Sequence, residues 1–136
     1  RDGEQAEEYD MPQEEKEKMP EQYEAVSLDD FVEYSKSMFE YWTEDDFASS
    51  FRKMLTIEQF RSEEMQKLYQ QYLVAGPASY VKALFESIGI VNAKDKAARF
   101  YAVMHFYYSL YDGAADKEKV KVEFVSAIKS LVQDLA

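Results

Sequence analysis

One stretch of the chain, AVMHFYYSLYDG at residues 102–113, concentrates the side chains that could take part in chemistry. His105, the only histidine of the chain, lies there among four large rings. These rings belong to Phe106, Tyr107, Tyr108 and Tyr111. Imidazole often acts as an acid or base near neutral pH, but a lone histidine without a partner group is a weak catalyst. Three roles stay open for His105: a packed or interface residue, a polar contact to a ligand, and a catalyst.

The common catalytic and metal-binding patterns are absent from the sequence. A di-iron bundle needs paired Glu-x-x-His motifs, but Ala102 stands three residues before His105 and no second histidine exists. The absence of cysteine removes disulfides and thiolate zinc sites. There is no glycine-rich phosphate loop and no Gly-x-Ser-x-Gly motif to present a serine. We therefore predict no catalytic residue, no metal, no cofactor and no enzymatic activity.

Hydrophobic spacing close to 3.6 residues predicts an all-α chain, an antiparallel bundle of about five or six helices. The first predicted helix turns one apolar face inward, with Phe31, Ser35, Met38, Phe39 and Trp42. The predicted helices begin near Ser27, Thr43, Ser62, Pro77, Asn92 and Asp116. For the second helix, the predicted buried stripe is Phe47, Phe51, Met54, Leu55 and Phe60. Gly76 is predicted to end the third helix, because glycine is common just after a helix and proline at the start of the next.

Charge divides the chain into two parts. The net charge is −11, and residues 1–25 hold ten acidic and three basic residues, a net −7. We expect residues 1–26 to be an acidic, proline-interrupted leader that is partly disordered or helical, and residues 27–136 to be one helical domain. The acidic surface should repel DNA and anionic lipid. No apolar run approaches the ~20 residues of a membrane helix, so we expect no membrane partner and a cytoplasmic location.

The helix predicted at 93–112 is apolar almost all round. A single small domain can hardly enclose such a helix, so we expect a homodimer, with one large intramolecular bundle as the alternative. Small residues on one stripe would let a partner helix approach closely. The predicted interface is Ala98, Ala102, His105 and Ser109, with Val125, Ile128 and Val132 on the last helix.

Aromatic residues are abundant, with 11 tyrosines, 9 phenylalanines and one tryptophan. Most of these rings must fill the core, but buried tyrosine hydroxyls need polar partners, which favours a cavity for a flat or apolar ligand. The helix faces predict a cavity lined by Phe39, Trp42, Phe51, Leu55, Tyr72, Tyr80, Met104 and Tyr108.

The stretch YWTEDDFASSFRKMLTIEQFRSEEMQKLYQQYLVAGPASYVKALF is followed further on by FYYSLYDGAADKEK. In this order and helix spacing, the chain from about residue 28 to 136 resembles the C-terminal regulatory domain of the tetracycline-repressor (TetR) family. The resemblance implies an all-helical domain that dimerises through its last two helices, here 93–112 and 116–135, and binds a small-molecule effector. It also implies an N-terminal helix-turn-helix unit that reads DNA. That unit is absent from this chain, and the acidic leader stands in its place; because the first residue is Arg1, we expect a truncated chain.

The sequence thus predicts an effector-sensing, homodimeric domain of a TetR-like transcription regulator, with DNA bound only through the absent unit. Two other functions stay open. One is a helical protein–protein adaptor without a ligand cavity. The other is a small-ligand carrier, or an enzyme that uses tyrosines and His105.

Overall fold

The computed structural model describes residues 27–135, which form α-helices and one π-helical segment and contain no β-strand. This confirms the predicted all-α fold class, whereas the predicted leader at 1–26 lies outside the described residues. The elements are α1 (Leu28–Glu44), α2 (Asp46–Glu58), α3 (Glu63–Tyr69), a π-helical segment (Gln70–Val74), α4 (Ala75–Ser87), α5 (Ala93–Gly113) and α6 (Lys117–Leu135).

Side-chain caps define where three of the helices begin, as the sequence predicts. At α1, the Ser27 hydroxyl accepts the Asp30 N–H at 3.1 Å and the Asp30 carboxylate accepts the Ser27 N–H at 3.3 Å, a capping box. Ser62 caps α3 and Asp116 caps α6, each accepting a backbone N–H at 3.1 Å. These oxygens satisfy amides that have no partner within the helix.

The predicted start of the second helix at Thr43 is wrong. Thr43 belongs to the last turn of α1, where its hydroxyl donates to the Phe39 carbonyl at 2.6 Å. Asp45 is the actual cap, because its extended backbone lets the carboxylate accept the Ala48 N–H at 2.8 Å. A threonine hydroxyl inside a helix can bond back to the carbonyl four residues earlier, so Thr43 needs no free amide as a partner.

Stacked rings join α1 to the C-terminal half of the chain. Phe39 stacks on Phe124 of α6 with 4.2 Å between ring centroids. Phe31, near the start of α1, lies 5.2 Å from Phe85 of α4 and 4.9 Å from Phe100 of α5. All five rings are fully buried or nearly so. The core therefore lies where α1, α4, α5 and α6 meet.

Helix α2 presents a different face to the core than its apolar residues predict. Phe47 is 69% exposed, Met54 is 38% exposed and Phe60 is 83% exposed, so the predicted stripe is wrong at these three positions. The buried residues of α2 are instead Ala48, Arg52 and Leu55. The rotation is consistent with the role of Arg52, because its guanidinium donates to the Trp42 carbonyl and the Asp112 carboxylate on the inner side.

An ion-pair cluster fastens α6 to the end of α1. The Lys121 ammonium lies 2.8 Å from the Glu44 carboxylate and 3.1 Å from that of Glu40. The hydrogen bond to Glu44 is the main cause that raises the pKa of Lys121, against the opposing effect of burial. Lys121 therefore carries a positive charge throughout the physiological pH range.

Candidate functional site

The helical run from α3 to α4 contains the most irregular backbone of the described helices. The predicted helix end at Gly76 is wrong, because α3 passes through the π-helical segment into α4 without a break. In that segment the Ala75 N–H donates to the Gln70 carbonyl, five residues back. Pro77 explains the change of register. It has no N–H for the Leu73 carbonyl four residues earlier, and its ring would clash with that carbonyl in a regular α-helix.

Gly76 is required by this local geometry. A Cβ atom at this position would collide with the carbonyl oxygen of Gln71, which is backbone and cannot swing aside. The neighbouring Val74 departs from helical dihedrals, with φ −130° and ψ −85°. Gly76 and Pro77, which the sequence assigns to two separate helices, together produce the π-helical segment. Such segments are frequent at functional sites.

His105 supplies the hydrogen-bond donor that Pro77 cannot. Its Nε2 atom lies 2.6 Å from the Leu73 carbonyl oxygen. Because a carbonyl only accepts, Nε2 carries the hydrogen, and Nδ1 holds the lone pair when the ring is neutral. Leu73 is buried, and Pro77 cannot donate to its carbonyl, so the imidazole provides this oxygen with a part-buried hydrogen bond. The imidazole thus connects α5 to the π-helical segment.

Burial is the largest influence on the charge of His105 and lowers its pKa below the ordinary value of 6.5. The hydrogen bond to Leu73 opposes this shift, and the nearby Arg52 guanidinium lowers the pKa further. The rings of Tyr101 and Tyr108 flank the imidazole at 6.4 and 5.5 Å between centroids. The environment therefore favours a neutral imidazole.

A narrow cleft lies beside this hydrogen bond. It has about 10 Å³ of space for the centre of a water-sized sphere, which is close to the minimum for one water molecule. Its lining combines α1, the π-helical segment, α4 and α5. The residues are Met38, Trp42, Tyr72, Leu73, Pro77, Tyr101, Met104 and Tyr108.

The structure brings half of the predicted cavity residues to this cleft: Trp42, Tyr72, Met104 and Tyr108. The others lie elsewhere. Phe39 and Leu55 are fully buried in the core, and Phe51 is half-buried on α2, with its ring edge-on to Tyr72 at 5.2 Å. Tyr80 is half-buried beside Tyr34, 6.0 Å between centroids.

Four lining residues were not among the predicted cavity residues: Met38, Leu73, Pro77 and Tyr101. Two sequence signals could have found some of them. Met38 lies one helical turn before Trp42, and Pro77 stands four residues after Leu73, the spacing at which proline removes a helical donor.

The residues predicted for a dimer interface fall into two groups. Ala98, Ala102 and Ser109 are exposed on α5 and His105 is half-buried. On α6, Ile128 is fully buried in the core, Val132 is 8% exposed and Val125 is half-buried. Ile128 and Val132 therefore face the core of their own chain, on the same side of α6 as Phe124. Among the residues predicted for the interface, only those on α5 include exposed ones.

The exposed face of α5 also carries large apolar side chains. Phe106 is 58% exposed and Leu110 is 41% exposed. We call Ala98, Ala102, Phe106, Ser109 and Leu110 the outer face of α5. Shallow grooves between α5 and α6 lie towards either end of this face, with about 300 Å³ near Arg99 and Ser130 and about 460 Å³ near Leu110 and Val120.

Arg52 links the cleft to the end of α5. Its Nε donates to the Trp42 carbonyl at 2.9 Å, and its guanidinium carbon lies 4.9 Å from the centre of the Tyr108 ring. Both Trp42 and Tyr108 line the cleft. The same guanidinium donates two hydrogen bonds to Asp112. A buried cation therefore contacts the backbone of one residue that lines the cleft and the ring of another.

Within residues 27–135, no group of three or more His, Cys, Asp or Glu side chains could hold a metal ion. None of the helices in this range is both long and apolar enough to cross a membrane. No protein-family model, curated protein or solved structure matches the chain.

Proposed function

We propose that residues 27–136 form the effector-sensing and dimerisation domain of a TetR-like transcription regulator. The observation that carries this proposal is the position of α5. Met104 and Tyr108 on this helix line the cleft, whereas Ala102 and Phe106 belong to its outer face. Residues two apart on an α-helix point about 200° apart, so the two sets lie on opposite sides of one helix.

This arrangement supports an allosteric mechanism. A molecule that wedges into the cleft must push α5 away from α1 and α4. A second copy bound to the outer face of α5 would then change its position relative to the first. The ligand shifts the population between two dimer geometries if it binds one of them better. The DNA-reading unit would respond to that change.

The outer face of α5 suits a second copy of the chain. Its exposed apolar side chains, Phe106 and Leu110, are bordered by the small residues Ala98, Ala102 and Ser109, which let another helix come close. Contiguous apolar surface of this kind is typical of protein interfaces. We expect sedimentation velocity at micromolar concentration to show a dimer.

The test of this interface compares two glutamate substitutions. Ala102→Glu puts a charge into the middle of the outer face and should produce monomers. Ile57→Glu, at an exposed apolar position on α2, is the matched control and should leave the dimer intact. A wild-type monomer, or an Ala102→Glu variant that still sediments as a dimer, would refute the proposed interface.

The effector would be a flat, apolar or aromatic molecule, because four of the eight residues that line the cleft are aromatic and the other four are apolar. Drug-sized ligands occupy pockets of roughly 300–1,000 Å³, so the effector must separate the helices as it enters. A thermal-shift screen of such molecules should find binders by their increase of the melting temperature. A binder in the cleft must also change the emission of Trp42, the only tryptophan of the chain. Binders that leave this emission unchanged occupy another site and contradict the proposal.

The charge of the chain is consistent with this division of roles. With a net charge of −11, the whole chain would repel phosphates, so contact with DNA would come from a basic helix-turn-helix unit outside it. A regulator of this kind would act in the cytoplasm.

A helical adaptor is the second candidate, and a separate observation favours it. Phe47, Met54, Ile57 and Phe60 give α2 and the turn after it an exposed apolar side, and the cleft holds little space. An adaptor should show no thermal shift with small molecules. It should lose its protein partner, rather than its dimer, when Ile57 is replaced by glutamate.

A further inference from the structure

The hydrogen bond between His105 and Leu73 lies at the boundary of the cleft and joins two elements that are far apart in sequence. Leu73 and Pro77 form the wall of the cleft that comes from the π-helical segment and α4, whereas Met104 and Tyr108 form the wall that comes from α5. His105 follows Met104 directly and reaches across to the Leu73 carbonyl. One side chain thus joins the two walls.

The irregular backbone of the π-helical segment makes the hydrogen bond from His105 important for holding Leu73 and Pro77 in position. In a regular α-helix the Leu73 carbonyl would be held by the N–H of residue 77, but Pro77 has none. Neighbouring turns are shifted to a five-residue register, as the bond from Ala75 to Gln70 shows. The local backbone therefore holds the wall less firmly than a regular helix would.

We propose that His105 is a latch: its hydrogen bond to the Leu73 carbonyl holds the π-helical segment against α5 and keeps the cleft closed. When the bond is broken, the segment moves outward and the cleft opens. For its use in effector sensing this inference rests on the proposed function, because an effector would have to displace the latch to enter. The latch itself is a property of the protein without any ligand.

Acrylamide quenching of Trp42 tests the latch, because this buried indole lines the cleft and is the only tryptophan. His105→Phe keeps a ring but removes the donor. We expect about fivefold more of the open form, and therefore a larger quenching constant, from the loss of one part-buried hydrogen bond. His105→Gln, which keeps an N–H donor, should stay closer to the wild type. Amide exchange at 74–79 should accelerate in His105→Phe.

A matched control separates opening of the cleft from general destabilisation. Ser87→Ala removes another side-chain hydrogen bond of α4, 2.7 Å to the Leu84 carbonyl, away from the cleft. This variant should lower the melting temperature slightly without changing Trp42 quenching. If His105→Phe lowers the melting temperature but has the same Trp42 quenching constant as Ser87→Ala, His105 has only a packing role and the latch is refuted.

A comparison in the Pro77→Ala variant tests whether the Leu73 carbonyl is the partner of His105. Pro77→Ala restores the N–H that the Leu73 carbonyl lacks, so His105→Phe should increase quenching much less in this background than in the wild type. Equal increases in both backgrounds would show that Leu73 is not the partner that matters, and would overturn the inference. If His105→Phe does not fold, His105→Asn, with its shorter polar side chain, takes its place in the same comparison. Because all these measurements use the protein without ligand, their failure is distinguishable from the failure of the effector screen.

Discussion

Two hydrogen bonds, of 3.0 and 2.7 Å, join the guanidinium of Arg52 to the carboxylate of Asp112, sixty residues further along the chain. Arg52 is only 5% exposed, whereas about a third of the Asp112 side chain is accessible. The pair connects the middle of α2 to the end of α5. Bidentate pairs of this kind are among the stronger hydrogen-bonded contacts in proteins, and this one sets which side of α2 faces inward.

Removing the Asp112 carboxylate should destabilise the protein more than the loss of an exposed ion pair would. Asp112→Ala leaves the buried Arg52 with the hydrogen bond to the Trp42 carbonyl and the contact with the Tyr108 ring, but without a carboxylate to balance its charge. Full burial would make the cost about 3–5 kcal/mol, and the partial exposure of Asp112 reduces our expectation to about 2 kcal/mol. Urea unfolding of Asp112→Ala, Arg52→Leu and the double variant should give a coupling energy of about 1–2 kcal/mol. Additive effects would contradict the role of the pair.

A methyl group at position 76 should be poorly tolerated. Gly76→Ala places a Cβ against the Gln71 carbonyl, so the π-helical segment must rearrange. We expect a loss of about 1–3 kcal/mol, although alanine is otherwise the better helix former. Gly113→Ala is the control, because a Cβ there meets nothing within 4 Å. Thermal unfolding of both variants checks the prediction, and equal melting temperatures would contradict it.

The stability of the protein should fall in mild acid partly because of His105. Burial lowers the pKa of His105, so the unfolded chain takes up its proton at a higher pH than the folded protein does. The contribution of His105 to the free energy of unfolding is therefore complete above pH 6.5 and declines as the pH falls below this value.

His105→Gln isolates this effect, because the chain has no other histidine. Urea unfolding at pH 7.5 and pH 5.5 should show that the advantage of the wild type over the variant shrinks at the lower pH. An advantage that grows in acid would mean that the folded protein raises the pKa of this imidazole.

We expect Asp45, and not Asp46, to act as the N-terminal cap of α2. Asp45→Ala removes the acceptor for the Ala48 N–H and should cost about 1 kcal/mol. Asp46→Ala, the neighbouring exposed acid in the first turn, removes only a favourable charge near the helix dipole and should cost about 0.5 kcal/mol. Chemical unfolding of the two variants distinguishes them. A smaller effect at Asp45 than at Asp46 would contradict the assignment of the cap.

Local chemistry was sufficient to predict much of the helical framework. Ser27, Ser62 and Asp116 begin helices because a short polar side chain satisfies free amides within its own turn, a relation visible in the sequence. The inward face of α1, from Phe31 to Trp42, was also predictable, since its apolar residues recur at helical spacing.

Tertiary contacts decided the features that define the candidate site. The orientation of α2 depends on the hydrogen bonds from Arg52 to Asp112. The role of His105 depends on the Leu73 carbonyl, to which Pro77 cannot donate. Helical periodicity records whether a residue is apolar, but not whether a distant group will complete a buried hydrogen bond. For this protein the sequence alone therefore determined where most helices lie and which residues are apolar. The packed structure decided which polar groups are buried, because a buried charge or carbonyl is stable only where a partner from another element meets it.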